Sequence, residues 1–191
     1  MNRKTNTKSI VLSALLCALG IIMPMFSPIK LILEPASFTL ASHVPIFIAM
    51  FISPSTAIFV TLGATVGFLL GGFPIVVVFR ALSHLIFVFI GSLYLKKHKN
   101  TIKSIKTSLG FSFIIGAIHA LGEILVVLPF YFGNGLSSGY YEKGFITSVL
   151  MLVGIGTIIH SMLDFGLSVY IWNLMPKEVR KINDIKKTIK A

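Results

Sequence analysis

Six apolar runs occupy most of this chain, at roughly residues 10–26, 41–52, 55–71, 74–95, 109–132 and 145–172. A helix needs about 20 apolar residues to cross the hydrocarbon core of a bilayer. Inside a bilayer every backbone amide must find its partner within the protein, so runs of this kind become helices. Composition agrees: 55% of the 191 residues are hydrophobic and only 12% are charged. Soluble domains carry about twice that charge. The chain therefore reads as an all-α polytopic membrane protein, a compact bundle of six transmembrane helices forming a single integral membrane domain over 1–191. The second run is short, and Ser53-Pro54-Ser55 parts it from the third by a tight break. Those two runs read as a helical hairpin.

The net charge of +11 does not point to nucleic acid, because the basic residues cluster at the ends of the runs. Fourteen of the 17 Lys and Arg residues lie in three places: the amino terminus 1–8, the linker from Lys96 to Lys106, and the tail 176–191. Six spans put all three on one side, which the positive-inside bias makes the cytoplasm. The expected location is the plasma membrane, multi-pass, with both termini cytoplasmic. The first run resembles a secretory signal only in its basic start. Pro24 and Pro28 close it without a small-x-small cleavage pattern, so it reads as a retained helix. Cys17 stands alone and forms no internal disulfide.

Six ionisable side chains fall inside the runs: Arg80, His84, His119, Glu123, His160 and Asp164. His43 opens the short second run. Each such residue costs about 2.5–3.5 kcal/mol at the bilayer centre, so each needs a partner or a task. They come in pairs four apart, 80/84, 119/123 and 160/164, and each pair shares a helix face. The fourth run enters from the outer side, which puts Arg80 about 9 Å down at about 1.5 Å per residue. Glu123 lies at a similar depth on the fifth run. His84 and His119 fall one turn deeper, and His160 and Asp164 fall in the inner half of the sixth run. Arg80 and Glu123 can meet as a buried ion pair fixing helix register, or as the wall of a polar cavity open to the outside. Both can hold together. The His160–Asp164 pair reads as structural.

No HxH, HExxH or CxxC grouping is present, and an arginine beside the histidines opposes a cation, so no metal or other cofactor is expected. An intramembrane metalloprotease-like enzyme is the alternative from another class. His160 and Asp164 give it an HxxxD form, but the paired-glutamate EExxxR element is missing. No GxxxxGK[ST] loop is present, so any ATP hydrolysis must reside on a partner. Small residues recur every four positions at Gly63, Gly67 and Gly71, and again at Ala14 and Ala18. Such faces allow close helix approach. The outer connections, 27–43 and 132–144, are long enough to act as lids.

Size, six runs, basic inner segments and the "ALLCA" of the first run together resemble the substrate-binding S component of energy-coupling-factor vitamin transporters. The stretches "PASFTLASHVPIFIAMFISP" and "GFPIVVVFRALSH" are most similar to the niacin-type members. The resemblance covers essentially the whole chain. It implies a vitamin-binding subunit of an ATP-driven uptake system, not an enzyme, with a transmembrane coupling subunit and two ATPase subunits as partners. It implies that Ala14 and Ala18 form the face that docks on the coupling subunit. It puts the vitamin in the outer half, where Arg80, His84, His119 and Glu123 fall. His43 lies nearby, and Tyr140 and Tyr141 can close over the ring. Nicotinate is a small planar anion whose carboxylate suits the guanidinium fork of Arg80. Another small vitamin or precursor remains the alternative within the family.

Overall fold

The computed structural model describes residues 7–26, 30–33, 36–39 and 41–180. Arg3, Lys4, Pro28, Pro35 and the tail beyond Arg180 lie outside the described residues. All six apolar runs are helical. The helices are α1 (Thr7–Phe26), α2 (Val44–Ile52), α3 (Pro54–Leu70), α4 (Ile75–Lys97) and α5 (Ile105–Phe132). The sixth run begins as a π-helical segment, Ile146–Ile155, and continues into α7 (Gly156–Leu174). Short helices α6 (Ser138–Glu142) and α8 (Lys177–Arg180) flank that last span.

The all-α bundle stands, but of the six expected transmembrane helices only four are clear spans among the described residues. Four helices are long and apolar enough to cross a membrane: α1, α4, α5 and the continuous 29 residues Ile146–Leu174. At nine residues α2 rises only about 14 Å, half of a hydrocarbon core. Eight of its nine residues are buried, so it is apolar on every side and sits inside the bundle. The break after it is as the sequence suggests. Ser53 is extended, Pro54 fills the first helical position of α3, and the Ser53 hydroxyl accepts from the Thr56 amide at 3.1 Å. A second departure lies before α2. Strands β1 (Lys30–Leu33) and β2 (Ala36–Thr39) pair antiparallel, so the first connection is a hairpin and not an irregular loop.

The glycine face of α3 packs against α1. A Cβ on Gly63 would collide with Cys17 Sγ, and one on Gly67 would lie 2.5 Å from the Ile21 carbonyl oxygen. Gly71 has a different task and caps the end of α3. With this face of α1 covered, Ala14 and Ala18 are left exposed on the helix surface.

The bundle interior divides along its length. Toward the Lys96–Lys106 linker it is aromatic: Phe47 meets Phe87 and Phe165 at ring-centroid distances of 5.7 and 5.3 Å, and Phe51 meets Trp172 at 5.6 Å. Toward the other end it is polar, and all of the intramembrane ionisable residues collect there. The outer surface carries Leu15, Phe26, Leu121, Leu125, Phe132 and Leu163. Exposed apolar side chains on every spanning helix suit a hydrocarbon surrounding and not water.

Candidate functional site

Three helices and one turn build the polar half. The i, i+4 spacing aims Arg80 and His84 inward from α4, and His119 and Glu123 inward from α5. On α7 the buried face runs through Thr157, Ser161, Asp164 and Ser168, the same helical period. The fourth contributor is the turn 41–43 that leads into α2. Because α2 is short and central, its amino-terminal end lies in the middle of the bundle, and His43 arrives among the other histidines.

Glu123 is one node. Its Oε2 accepts from Arg80 Nη2 at 2.9 Å and from the Thr157 hydroxyl at 2.5 Å. Its Oε1 accepts from His84 Nε2 at 3.3 Å. His119 Nε2 lies 3.5 Å from the same oxygen without hydrogen-bond geometry. Arg80 and Glu123 therefore do meet, and both are buried. A buried charge pair is tolerable when its remaining lone pairs and protons are also satisfied. Glu123 meets that condition. Arg80 does not, because its Nε has no hydrogen-bond partner among the described residues. Both ring nitrogens of His119 are likewise without one. Buried polar atoms of this kind call for an explanation, and a bound ligand is one.

Asp164 is the second node, and it holds backbone. Its Oδ1 accepts from the Ala41 amide at 2.9 Å, and its Oδ2 accepts from the His43 amide at 3.0 Å and from His43 Nδ1 at 3.1 Å. Ala41 is one of two described non-glycine residues with positive φ, at 66°. That conformation costs energy in an alanine and persists where its surroundings impose it. A carboxylate accepts and does not donate, so the proton in this contact sits on His43 Nδ1. His160 Nε2 lies 3.3 Å from Asp164 Oδ2.

The two nodes form one cluster. The His43 ring lies 4.8 Å from that of His84, 4.9 Å from His119 and 5.0 Å from His160. His84 and His119 are 4.5 Å apart. A cavity of about 40 Å³ opens among these rings, Arg80 and Thr157. It has room for one or two water-sized occupants. Pockets that hold drug-sized molecules run to about 300 Å³ and more. A planar heteroaromatic acid fits only if the elements above it part.

Sequence reasoning located Arg80, His84, His119, Glu123 and His43 in this cluster, and all five are there. His160 and Asp164, read from the sequence as a separate pair, lie beside His43 and join the cluster through it. Sequence reasoning also missed Thr157, whose only signal is its spacing of seven residues from Asp164 on one helix face. Tyr140 is buried in α6 close to the Arg80 guanidinium. Burial pushes its phenol above the ordinary tyrosine value, and the Arg80 charge opposes that rise. Tyr141 lies elsewhere. Its hydroxyl accepts from the Leu136 amide at 3.2 Å and is 3.3 Å from the Tyr131 carbonyl, so it fastens the loop that carries α6.

No family model matches the chain, and no solved structure matches it. Among curated proteins, the chain is 41% identical over 177 residues to the niacin transporter NiaX of Lactococcus lactis subsp. cremoris (strain MG1363). The matched region covers 92% of this chain and 78% of that protein.

Proposed function

Because the chain belongs to the family of niacin-type S components of energy-coupling-factor transporters, we infer that it binds nicotinate in the Arg80–Glu123–histidine cluster and hands it to an ATP-driven uptake module. The observation that carries this reading is the cluster itself. A buried arginine with an unpartnered Nε lies among four histidines at one end of a lipid-facing bundle. Arg80 Nη2 is engaged by Glu123, which leaves the Nε edge of the fork for a carboxylate. His119 offers a ring N–H to a pyridine nitrogen. Tyr140 closes the guanidinium side. The β1–β2 hairpin, the turn 41–43 and the α6 loop form the lid.

The rest of the assembly follows from the same reading. The basic segments face the cytoplasm, and the α2–α3 hairpin completes six membrane-embedded segments of which two are short. Ala14 and Ala18, exposed on α1, dock on the transmembrane coupling subunit, and two ATPases supply the energy. Calorimetry on detergent-purified protein tests the vitamin: nicotinate should bind at least ten-fold more tightly than the neutral nicotinamide, and equal affinities would rule out a carboxylate reader. Ala14→Trp with Ala18→Trp tests the docking. Nicotinate binding should survive while copurification with the coupling module and uptake are lost. Normal uptake by that double variant would sink the docking face.

A further inference from the structure

Carboxylate recognition by Arg80 leaves most of the histidine cluster without a task. One ring nitrogen from each of His43, His84 and His119 lies within 4.8 Å of the others. These side chains come from the start of α2, from α4 and from α5, so no local motif announces them. Two of the three rings are already oriented by a carboxylate: His43 donates Nδ1–H to Asp164, and His84 donates Nε2–H to Glu123. In the neutral ring the other nitrogen of each, Nε2 of His43 and Nδ1 of His84, is a lone pair free to ligate. This is the outer-shell arrangement that orients metal-binding histidines and raises their basicity. His119, the third, has no hydrogen-bond partner on either nitrogen among the described residues.

Charge points the same way. Arg80 is balanced by Glu123 at 2.9 Å, and the Asp164 carboxylate faces the rings of His43 and His160. The side of the cluster next to Asp164 and His43 suits a cation, while the Nε edge of Arg80 stays open to the carboxylate. The cavity of about 40 Å³ matches an ion with one small ligand and not a ring.

We propose that His43, His84 and His119 bind a divalent transition-metal ion of the zinc class, with an open fourth position facing the nicotinate site. Three imidazole nitrogens with one open position are a recurring set for such ions, and hard oxygen-seeking cations are not suited to it. The ion adds positive charge on that side. It also gives the vitamin a second electrophile beside Arg80, at its carboxylate or its ring nitrogen. This part of the proposal rests on the niacin reading above, whereas the metal site itself does not.

The test uses full-length, tag-free protein in detergent, stripped with a chelator and dialysed. Titration with Zn²⁺ should show one equivalent bound, and Mg²⁺ should not compete. Co²⁺ in its place should give the intense visible bands of a four-coordinate nitrogen site. Changing an outer-shell partner costs about 10–100-fold in metal affinity, and losing a ligand costs more. His119→Gln should therefore weaken Zn²⁺ binding by at least about a hundred-fold. His119 holds no hydrogen bond that the fold would miss, and a melting profile checks that it is folded. Cys17→Ser should leave Zn²⁺ binding unchanged. Absence of stoichiometric Zn²⁺ in the wild type overturns the proposal, and so does full affinity in a folded His119→Gln variant. Nicotinate calorimetry with and without Zn²⁺ separates the two readings. Nicotinate binding unchanged by Zn²⁺, in protein that takes up none, keeps the vitamin and removes the metal. Stoichiometric Zn²⁺ without nicotinate binding in either form keeps the metal and removes the vitamin.

Discussion

Glu123 and Asp164 are both buried carboxylates on spanning helices, and both touch histidines, yet they are wired differently. Glu123 is surrounded by side chains: Arg80 and His84 from α4, His119 from its own helix, Thr157 from α7. Every one of these partners can rotate away. Asp164 takes two of its three hydrogen bonds from backbone amides, at Ala41 and His43, which cannot rotate away without moving the chain. The first arrangement lets a ligand rearrange a network. The second pins the segment between the hairpin and α2 to α7, and holds Ala41 at its positive φ. Under the proposed function Glu123 would serve recognition, whereas Asp164 holds the frame that presents His43.

The largest effect should come from removing the frame. Asp164→Ala leaves two backbone donors and the His43 ring without an acceptor in a buried site. Breaking buried charged networks costs about 3–5 kcal/mol. Folded yield and thermal unfolding in detergent should both drop sharply. Asp164→Asn, which keeps one accepting oxygen, should recover about half of the loss. Unchanged melting of Asp164→Ala would show that the 41–43 turn does not depend on the carboxylate.

Arg80 comes next, and it should affect binding more than folding. Charge-assisted hydrogen bonds are worth about 1.5–3 kcal/mol each, so Arg80→Ala should weaken nicotinate binding about ten- to over a hundred-fold. Arg80→Lys keeps the charge, loses the fork and should recover only part. A purely structural ion pair makes a different prediction. In that case Arg80→Leu with Glu123→Leu restores both melting temperature and affinity. Calorimetry with melting on the same samples decides, and full nicotinate affinity in the double-leucine protein would reduce Glu123 to the same framing role as Asp164.

The contrast between the two nodes also explains what was legible in the sequence. Arg80, His84, His119 and Glu123 betray themselves because an ionisable side chain in an apolar run has a cost, and spacing of four residues fixes its face. Their partnership is between side chains, and side chains are what a sequence prints. Asp164 is as visible as Glu123, but its partners are amide protons more than 120 residues away, which leave no mark in the sequence. Its link to the cluster runs through His43, which reaches the other histidines because α2 begins in mid-bundle. The β1–β2 hairpin was hidden for another reason. Its two four-residue strands lie among prolines; β1 follows Lys30 with three apolar residues and does not alternate, and the alternation of Ala36-Ser37-Phe38-Thr39 is too short to stand out.

The smallest effect expected is at the lid, and it tests whether the frame is also a gate. A cavity of about 40 Å³ cannot take nicotinate while closed, so the vitamin must enter through an open form of the segments above it. On the reading proposed above these segments are the β1–β2 hairpin, followed by the turn that Asp164 holds at Ala41 and His43, and the α6 loop, fastened by the Tyr141 hydroxyl. Local opening of such segments takes only part of the global stability. A ligand that must leave before they open adds a linkage term, about 2.7 kcal/mol when present at 100 times its Kd. Openings that do not expel the ligand carry no such term, so amides of both lid segments should exchange only a few-fold more slowly with nicotinate bound. The α2 and α5 interior should hardly change. Hydrogen exchange read by mass spectrometry on detergent-purified protein measures this. Asp164→Asn should raise the rate of the hairpin and leave the α6 loop alone, because that carboxylate holds the turn that follows the hairpin. If bound nicotinate leaves both segments exchanging at their free rates, the hairpin is a fixed cap, and the vitamin must reach Arg80 by another opening.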